Sequence, residues 1–354
     1  MGEITRRTLG LIAAAGATCA WSVGAPVTEP AAGRTHFDPE PYVNPELRRY
    51  ISQTLMRTNF PLTEQSLPLI RKGAASIPAP VLPQPVWSER MIAGPANAPE
   101  VRIYVVNAGR SGDAKPAILH MHGGGFVIGV ARSDIGTLQG IATALDCVIV
   151  TVDYRLGPET RFPGSLEDNY AGLKWLYANA AALGVDRTRI AVMGGSAGGG
   201  HAAMLAIAAR DRGEIPLAYQ ALICPALDDR TGSTHQKPPY QGALGWTPEH
   251  NRFAWSALLG VPAGSAHVPY GAVPARLRDL RGLPPAFIGV GSIDLFVDED
   301  IDYARRLADA GIAVTMNVVP GAFHGFDGIP GTLIGARFRM ALIDALRAAL
   351  RQNT

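Results

Sequence analysis

The chain is poor in cysteine, with three in 354 residues. That is too few for a disulfide-stapled scaffold. No Cys/His cluster has zinc spacing and no H-E-x-x-H occurs, so neither metal nor cofactor is expected. Cys147 and Cys224 fall in the apolar runs DCVIV and ALICP, which read as buried free thiols. A bridge between them stays open if the chain meets oxidising conditions. Charge imbalance is also lacking: 32 Lys and Arg against 30 Asp and Glu give +2. With no basic block, nothing points to nucleic acid. No apolar run in the body of the chain approaches the roughly 20 residues a spanning helix needs. Repeats, heptad seams and low-complexity tracts are absent. What remains is 47% apolar and 18% charged, the composition of a globular protein with a sizeable core. The length suits one large domain, or a domain with an appendage.

The first residues stand apart. Thr5-Arg6-Arg7-Thr8-Leu9-Gly10 resembles a twin-arginine export signal. Leu9–Ala20 is a mildly apolar stretch too short to span a membrane, and Val23-Gly24-Ala25 offers a small-x-small cleavage pattern. Residues 1–25 are therefore expected to be an export signal that would remove Cys19 and send the protein to the periplasm or outside. A cytoplasmic location is the alternative.

Residues 26–85 mix helical stretches with a proline-rich connector at Pro78–Pro85. Asn44-Pro45-Glu46 is a plausible helix start, followed by the stripe Leu47, Tyr50, Ile51 and Leu55. A second helix is expected over Thr63–Ala75. From Val86 onward strands and helices alternate. Strands are expected at Val86–Ile92, Glu100–Val106, Ala117–Met121, Cys147–Asp153, Ile190–Met193, Ala218–Cys224, Ala286–Gly291 and Ala313–Val319. Helices are expected at Ser133–Leu145, Ser165–Ala180 with Ser165 as N-cap, Ala202–Ala209, Glu299–Ala310 and Gly335–Arg351. A Gly/Pro-rich insertion fills about 228–283. Runs of unbroken Val, Ile and Leu suit parallel strands covered on both faces. The prediction is a doubly wound α/β sheet over 86–354.

In such sheets ligands sit beyond the carboxyl ends of the strands. The residues with chemistry follow strands here. Gly194-Gly195-Ser196-Ala197-Gly198 joins a strand to a helix in a G-x-S-x-G pattern. Glycines two residues either side of the serine avoid a clash where strand and helix close on each other. Asp294 and His324 each follow a later strand, in DLFVDE and FHGF. A serine hydroxyl needs a neutral imidazole to take its proton, and the imidazole needs a carboxylate to fix its tautomer. His122-Gly123-Gly124-Gly125 precedes Phe126. Consecutive glycines let backbone N–H groups converge on a developing oxyanion. Asp298 and Glu299 read as the start of the following helix. His201 reads as a packed residue, His120 as a strand residue and His122 as the one orienting the glycine loop. His36, His235, His250 and His267 read as surface residues, and Tyr154, Arg155 and Glu159 as structural. Trp246, Phe253 and Trp255 in the insertion suit either an acyl pocket or simple packing.

These motifs together resemble the hormone-sensitive-lipase-like α/β-hydrolases, which include many bacterial carboxylesterases. The matches are HGGGF at His122–Phe126, DYRLGPE at Asp153–Glu159, RFPGSLEDNYAGLKWL at Arg161–Leu176, GGSAGG at Gly194–Gly199, DLFVDE at Asp294–Glu299 and HGF at His324–Phe326. They cover the chain from roughly Asn44 to its end. The resemblance implies an α/β-hydrolase fold with Ser196 as nucleophile, Asp294 as orienting acid and His324 as base. It implies an oxyanion hole of the Gly124, Gly125 and Ala197 N–H groups, and no cofactor. It also implies a cap built from the N-terminal helices and the insertion. The chain departs from the family at Gly195, where Asp is frequent, and at Gly200-His201, where Asn-Leu is frequent; both flank the reacting atoms. The expected activity is hydrolysis of small, short-to-medium-chain carboxylic esters through an acyl-enzyme. An amidase, lactonase or carbamate hydrolase with the same triad, a non-catalytic binding protein and a true lipase are the rival readings. A homodimer stays open.

Overall fold

A computed structural model describes residues 37–76, 81–109 and 114–351. The expected export signal, with Cys19, and His36 lie outside the described residues. One eight-stranded sheet has the order β1-β2-β4-β3-β5-β6-β7-β8. The strands are β1 Trp87–Ile92, β2 Val101–Val106, β3 Lys115–Met121, β4 Val148–Asp153, β5 Val185–Gly195, β6 Tyr219–Ile223, β7 Ala286–Gly291 and β8 Val314–Val319. β1 and β2 form an antiparallel pair, and β2 meets β4 antiparallel. Every other pairing is parallel.

The helices of eight residues or more are α1 Ile51–Thr58, α2 Leu67–Ser76, α3 Ile135–Leu145, α4 Gly164–Ala178, α5 Ala197–Arg212, α6 Pro248–Leu259, α7 Val297–Asp309 and α8 Leu333–Ala349. The pleat sends alternate side chains to opposite faces. Leu119, Val150, Val192 and Ile288 join one core with residues of α4, α5 and α7. Ile118, Ile149, Ala191 and Phe287 join a second core with residues of α3 and α8. Burial on both faces is why the central strands read as unbroken apolar runs.

The local differences from expectation have physical causes. α2 begins at Leu67 rather than Thr63 because residues 63–66 form its cap. Ser66 N–H donates to Thr63 Oγ1 at 3.2 Å, and Thr63 N–H donates to Ser66 Oγ at 2.9 Å. Ahead of α1, Leu47 is fully buried, with Tyr50, Ile51 and Leu55 packed on the second core. Ser165 is not an N-cap: α4 starts at Gly164 with Pro163 at the cap position. Glu167 N–H donates to the Pro163 carbonyl at 2.8 Å, which draws Ser165 into the first turn. β5 extends back to Val185, where Lys115 of β3 pairs with it. Cys147 and Cys224 are free and buried, and burial pushes the Cys147 thiol up to about 12. Among the described residues no helix is long and apolar enough to cross a membrane.

The segment 228–283 carries α6, capped by Thr247, whose side chain accepts from His250 N–H. Buried Asp229 ties the segment together, accepting from Arg276 and from Gly264 N–H at 2.8 Å each. Burial raises the Asp229 carboxyl, with those two donors opposing. Glu299 departs from its expected role. Its side chain turns away from its own helix start, and Oε1 accepts from Leu227 N–H at 2.7 Å and Asp228 N–H at 3.0 Å. It fastens the root of the insertion. His250 also departs: it is buried, and its Nε2 lies 3.0 Å from the Phe60 carbonyl. The N-terminal segment thus covers it. His235 and His267 are exposed as expected.

Candidate active site

Ser196 stands at the junction of β5 and α5 with φ 57° and ψ −124°. Such a backbone costs a non-glycine residue about 1–3 kcal/mol and persists only where surroundings fix it. Here Ser196 N–H donates to the Ile223 carbonyl at 2.8 Å, and its carbonyl accepts from Gly200 and Ala226 N–H at 3.0 and 3.1 Å. The flanking glycines are needed sterically. A methyl group at Gly194 would run into the Gly198 carbonyl, and one at Gly198 would strike the Met121 carbonyl. A methyl group at Gly195 would meet only the Ile223 carbonyl, at an ordinary contact of 3.9 Å, so the turn does not require glycine there.

Ser196, Asp294 and His324 come together. His324 Nε2 lies 2.9 Å from Ser196 Oγ, and its Nδ1 lies 2.8 Å from Asp294 Oδ2. Asp294 is fully buried, and its Oδ1 accepts from Phe296 N–H at 3.0 Å. A carboxylate only accepts, so Nδ1 carries the ring proton and Nε2 is free to accept from the serine hydroxyl. The Phe296 ring stands edge-on to the imidazole at 5.2 Å. Behind it, a side chain at Gly245 would strike the His324 carbonyl. Burial alone would lower the imidazole's pKa. The Asp294 charge and hydrogen bond, helped by Asp327, outweigh it, and the net shift is upward.

The glycine loop runs over the serine: a methyl group at Gly123 would sit 3.6 Å from Ser196 Cβ. Gly124, Gly125 and Phe126 all have positive φ, at 122°, 59° and 65°. The Gly124 carbonyl accepts from Val127 N–H at 3.2 Å and Ile128 N–H at 2.9 Å, closing a tight turn. Ala197 is buried at the first position of α5, where a backbone N–H has no partner within the helix. The positive end of a helix dipole lies there.

The other singled-out residues take supporting places. His122 Nδ1 bonds its own loop at the Gly123 carbonyl, 2.8 Å, and its carbonyl accepts from Tyr154 Oη at 2.7 Å. His201 is fully buried with its ring edge-on to Phe126 and Tyr154, and burial pushes it down to about 3. His120 sits on β3 against Thr151 Oγ1 at 2.9 Å. Arg155 forks onto Asp168, and Glu159 pairs with Arg71. The three aromatics of the insertion separate. Trp255 is fully buried against Phe126, and Phe253 is half-buried at the core edge. Trp246 lies over Gly125, where an added methyl group would meet its ring, with its centroid 6.4 Å from that of His324.

Sequence reasoning missed two neighbours. Thr58, at the end of α1, accepts from Gly245 N–H at 2.8 Å, directly behind His324. Cys224 Sγ and one ligand atom each of Asp294 and His324 lie within 4.8 Å of one another. That is a metal-capable set of donor types. Both imidazole nitrogens already face partners, however, so a cation there would have to displace the Asp294 hydrogen bond. Neither neighbour had a motif to announce it.

Comparison with known proteins fits this geometry. A family model for the alpha/beta hydrolase fold matches residues 118–328, more than half of the chain. Esterase LipI of Mycobacterium tuberculosis is 32% identical over 303 residues, covering 84% of this chain and 92% of that protein. Ethyl acetate hydrolase of Pseudomonas putida is 31% identical, covering 68% of this chain and 80% of that one. The solved structure of a bacterial heroin esterase superposes with a TM-score of 0.79 at 34% identity, covering 89% of this chain and all (100%) of that one. The chain therefore belongs to the α/β hydrolases, in the hormone-sensitive-lipase-like family of carboxylic ester hydrolases.

Proposed function

We propose that the protein is a serine carboxylesterase acting on small, short-to-medium-chain esters, with Ser196 as nucleophile, His324 as base and Asp294 as orienting acid. The observation that carries this reading is the unbroken Asp294–His324–Ser196 chain, 2.8 and 2.9 Å long, under a glycine loop. Ser196 Oγ attacks the ester carbonyl carbon while its proton passes to His324 Nε2. The N–H groups of Gly124, Gly125 and Ala197 hold the oxygen that gains the negative charge. When the tetrahedral adduct collapses, His324 returns the proton to the departing alkoxide and the alcohol leaves. Water then attacks the acyl-enzyme, giving its proton to His324, which passes it to Ser196 Oγ as the acid leaves.

Ester rather than amide preference draws support from the relatives, among them an ethyl acetate hydrolase. The N-terminal helices (26–85) and the insertion (about 228–283) act as a cap over the core of 86–354, with Trp246 of the insertion placed over Gly125 and beside His324. Residues 1–25 serve as an export signal; N-terminal sequencing of the mature protein tests this, and an intact Met1 refutes it.

Matched p-nitrophenyl esters and anilides of two to eight acyl carbons test the reaction. Ester turnover falling with chain length supports it, and anilide turnover matching the esters refutes it. The rate should also fall as His324 becomes protonated. With its pKa raised, that acid limb lies above pH 6.5. A flat rate down to pH 4 removes His324 as the base.

A further inference from the structure

Among the side chains outside the triad, one reaches the oxyanion loop from the far end of the chain. Arg71 lies on α2, whose Leu67, Ile70 and Ala74 are buried. Its Nε donates to the Val127 carbonyl at 2.7 Å, and Nη2 donates to the Gly157 carbonyl at 2.6 Å. Nη1 and Nη2 also fork onto the two oxygens of Glu159, at 2.7 and 2.9 Å. The guanidinium therefore ties three pieces of chain together: α2, the turn at 124–128, and the loop at 155–159.

The turn's orientation matters because a trans peptide points its C=O and N–H in opposite directions. The Gly124 carbonyl faces into the turn, toward Val127 and Ile128 N–H. The Gly125 N–H of the same peptide must then face outward. Gly124 and Gly125 have no side chains with which to hold that direction. The turn is held from its other end. Gly157 N–H donates to the Phe126 carbonyl at 2.9 Å, and Arg71 holds the next carbonyl, that of Val127. Arg71 also grips the Gly157 carbonyl, so both fasteners of the turn run through it or beside it. A fork-shaped donor suits this task, since a lysine offers one point charge for three acceptor groups.

We propose that Arg71 is a positioning residue for the oxyanion hole. By holding Val127 and Gly157 it fixes the direction of the Gly125 N–H, and so couples the N-terminal helical segment to transition-state stabilisation. The proposal rests on the esterase reading above. Its signature is selective. The oxyanion exists in the transition state and not in the ground-state ester, so loosening the turn lowers kcat and leaves KM nearly alone. Losing one oxyanion donor outright costs about 10²–10³ in kcat. A loosened donor falls short of that, and a reduction of roughly 10- to 100-fold is expected for Arg71→Met.

The test measures kcat and KM for p-nitrophenyl acetate and the Ki of an alkyl trifluoromethyl ketone. That ketone forms a tetrahedral adduct on serine with its oxyanion in the hole. Arg71→Met should weaken the ketone and lower kcat by a similar factor, with KM within about threefold. Arg71→Lys should recover part of both losses. Glu159→Gln, which leaves the bonds to Val127 and Gly157 in place, should lose little. Amide hydrogen exchange over 124–128 should quicken in Arg71→Met. If Arg71→Met fails to fold, Arg71→Lys against wild type gives the same comparison. The proposal is overturned if kcat stays within twofold, if the loss appears in KM alone, or if kcat falls while the ketone binds unchanged. Unchanged exchange protection also overturns it, even for a wild type without ester turnover, whereas that lack of turnover defeats the esterase reading alone.

Discussion

Asp294→Asn isolates the role of the carboxylate with almost no change in shape. The two carboxylate oxygens do different work: Oδ1 accepts from Phe296 N–H at 3.0 Å, and Oδ2 accepts from His324 Nδ1–H at 2.8 Å. An asparagine has one acceptor and one donor to place in those positions. Facing its NH₂ toward Phe296 would oppose two donors in a fully buried site, at about 1–3 kcal/mol. The amide therefore keeps its oxygen on Phe296 N–H and turns its NH₂ to His324. The imidazole then moves its proton to Nε2, the nitrogen that must accept from Ser196. The equivalent change in serine proteases lowers kcat about 10⁴-fold, or roughly 5.4 kcal/mol. A loss of 10³–10⁴ in kcat with little change in KM is expected here. The pH profile gives a second readout. Asp294 is the main influence opposing the effect of burial on His324. Without its charge burial prevails, the imidazole pKa falls, and the residual activity keeps its acid limb to lower pH than wild type. Measuring kcat from pH 4 to 10 on p-nitrophenyl acetate checks both. A variant within tenfold of wild type, or one whose acid limb stays in place or moves up, refutes the tautomer argument.

Ser196→Ala should lower kcat by on the order of 10³-fold or more and abolish labelling by a phosphylating reagent, since triad members act as a unit; labelling that persists elsewhere would displace Ser196. Ser196→Gly should be equally inactive yet more stable by ~1 kcal/mol in urea unfolding. The relieved strain of about 1–3 kcal/mol exceeds the chain-entropy cost of about 0.4–1, and a less stable variant would show that the backbone at φ 57° is not strained. Gly194→Ala places a methyl group against the Gly198 carbonyl, so soluble protein with wild-type turnover would contradict the elbow geometry. Asp327→Asn removes the smaller of the two acidic influences on His324, and the acid limb of kcat/KM should move down by less than in Asp294→Asn; an upward move would be the wrong sign. Cys147 and Cys224, buried with thiols pushed up, should resist iodoacetamide at pH 8 until the protein is unfolded, and rapid native labelling of either would contradict their burial.

The geometry of the site was legible in the sequence where its requirement acts over a few residues. Gly194 and Gly198 are demanded by a clash between a strand and the helix that follows it, so the pattern is local and visible. Asp294 could be found because it follows the apolar run AFIGVG, and His324 because it follows the shorter, interrupted strand VTMNVV and heads its own motif, HGF. Arg71 was invisible for the opposite reason. Its partners lie 56, 86 and 88 residues away, and two of them are backbone carbonyls, which every residue possesses. His250 and Glu299 were misread on the same ground. A histidine in a Gly/Pro-rich insertion looks exposed until the Phe60 carbonyl is folded over it. A glutamate in the first turn of a helix reads as part of that helix's start, where the structure does place it, until its side chain finds Leu227 and Asp228 N–H. Ser165 was misplaced by two positions because Pro163 took the cap.

The buried histidines around the site are moved in opposite directions by their surroundings. His120 and His201 are pushed down to about 3 by burial, and His122 is lowered for the same leading reason. The two rings pushed down to about 3 are neutral at neutral pH, so neither adds a charge beneath the glycine loop. In the proposed mechanism the oxyanion meets fixed dipoles, the loop N–H groups and the N-terminus of α5, which do not change with pH. His324 alone among these rings is moved the other way, because Asp294 and Asp327 outweigh its burial. One fold thus separates four imidazoles by environment: three are lowered by burial, two of them with a ring nitrogen in a hydrogen bond, and the fourth, His324, is raised, as the proposed base requires. On the proposed mechanism the acid limb of kcat/KM should follow His324 rather than these three rings.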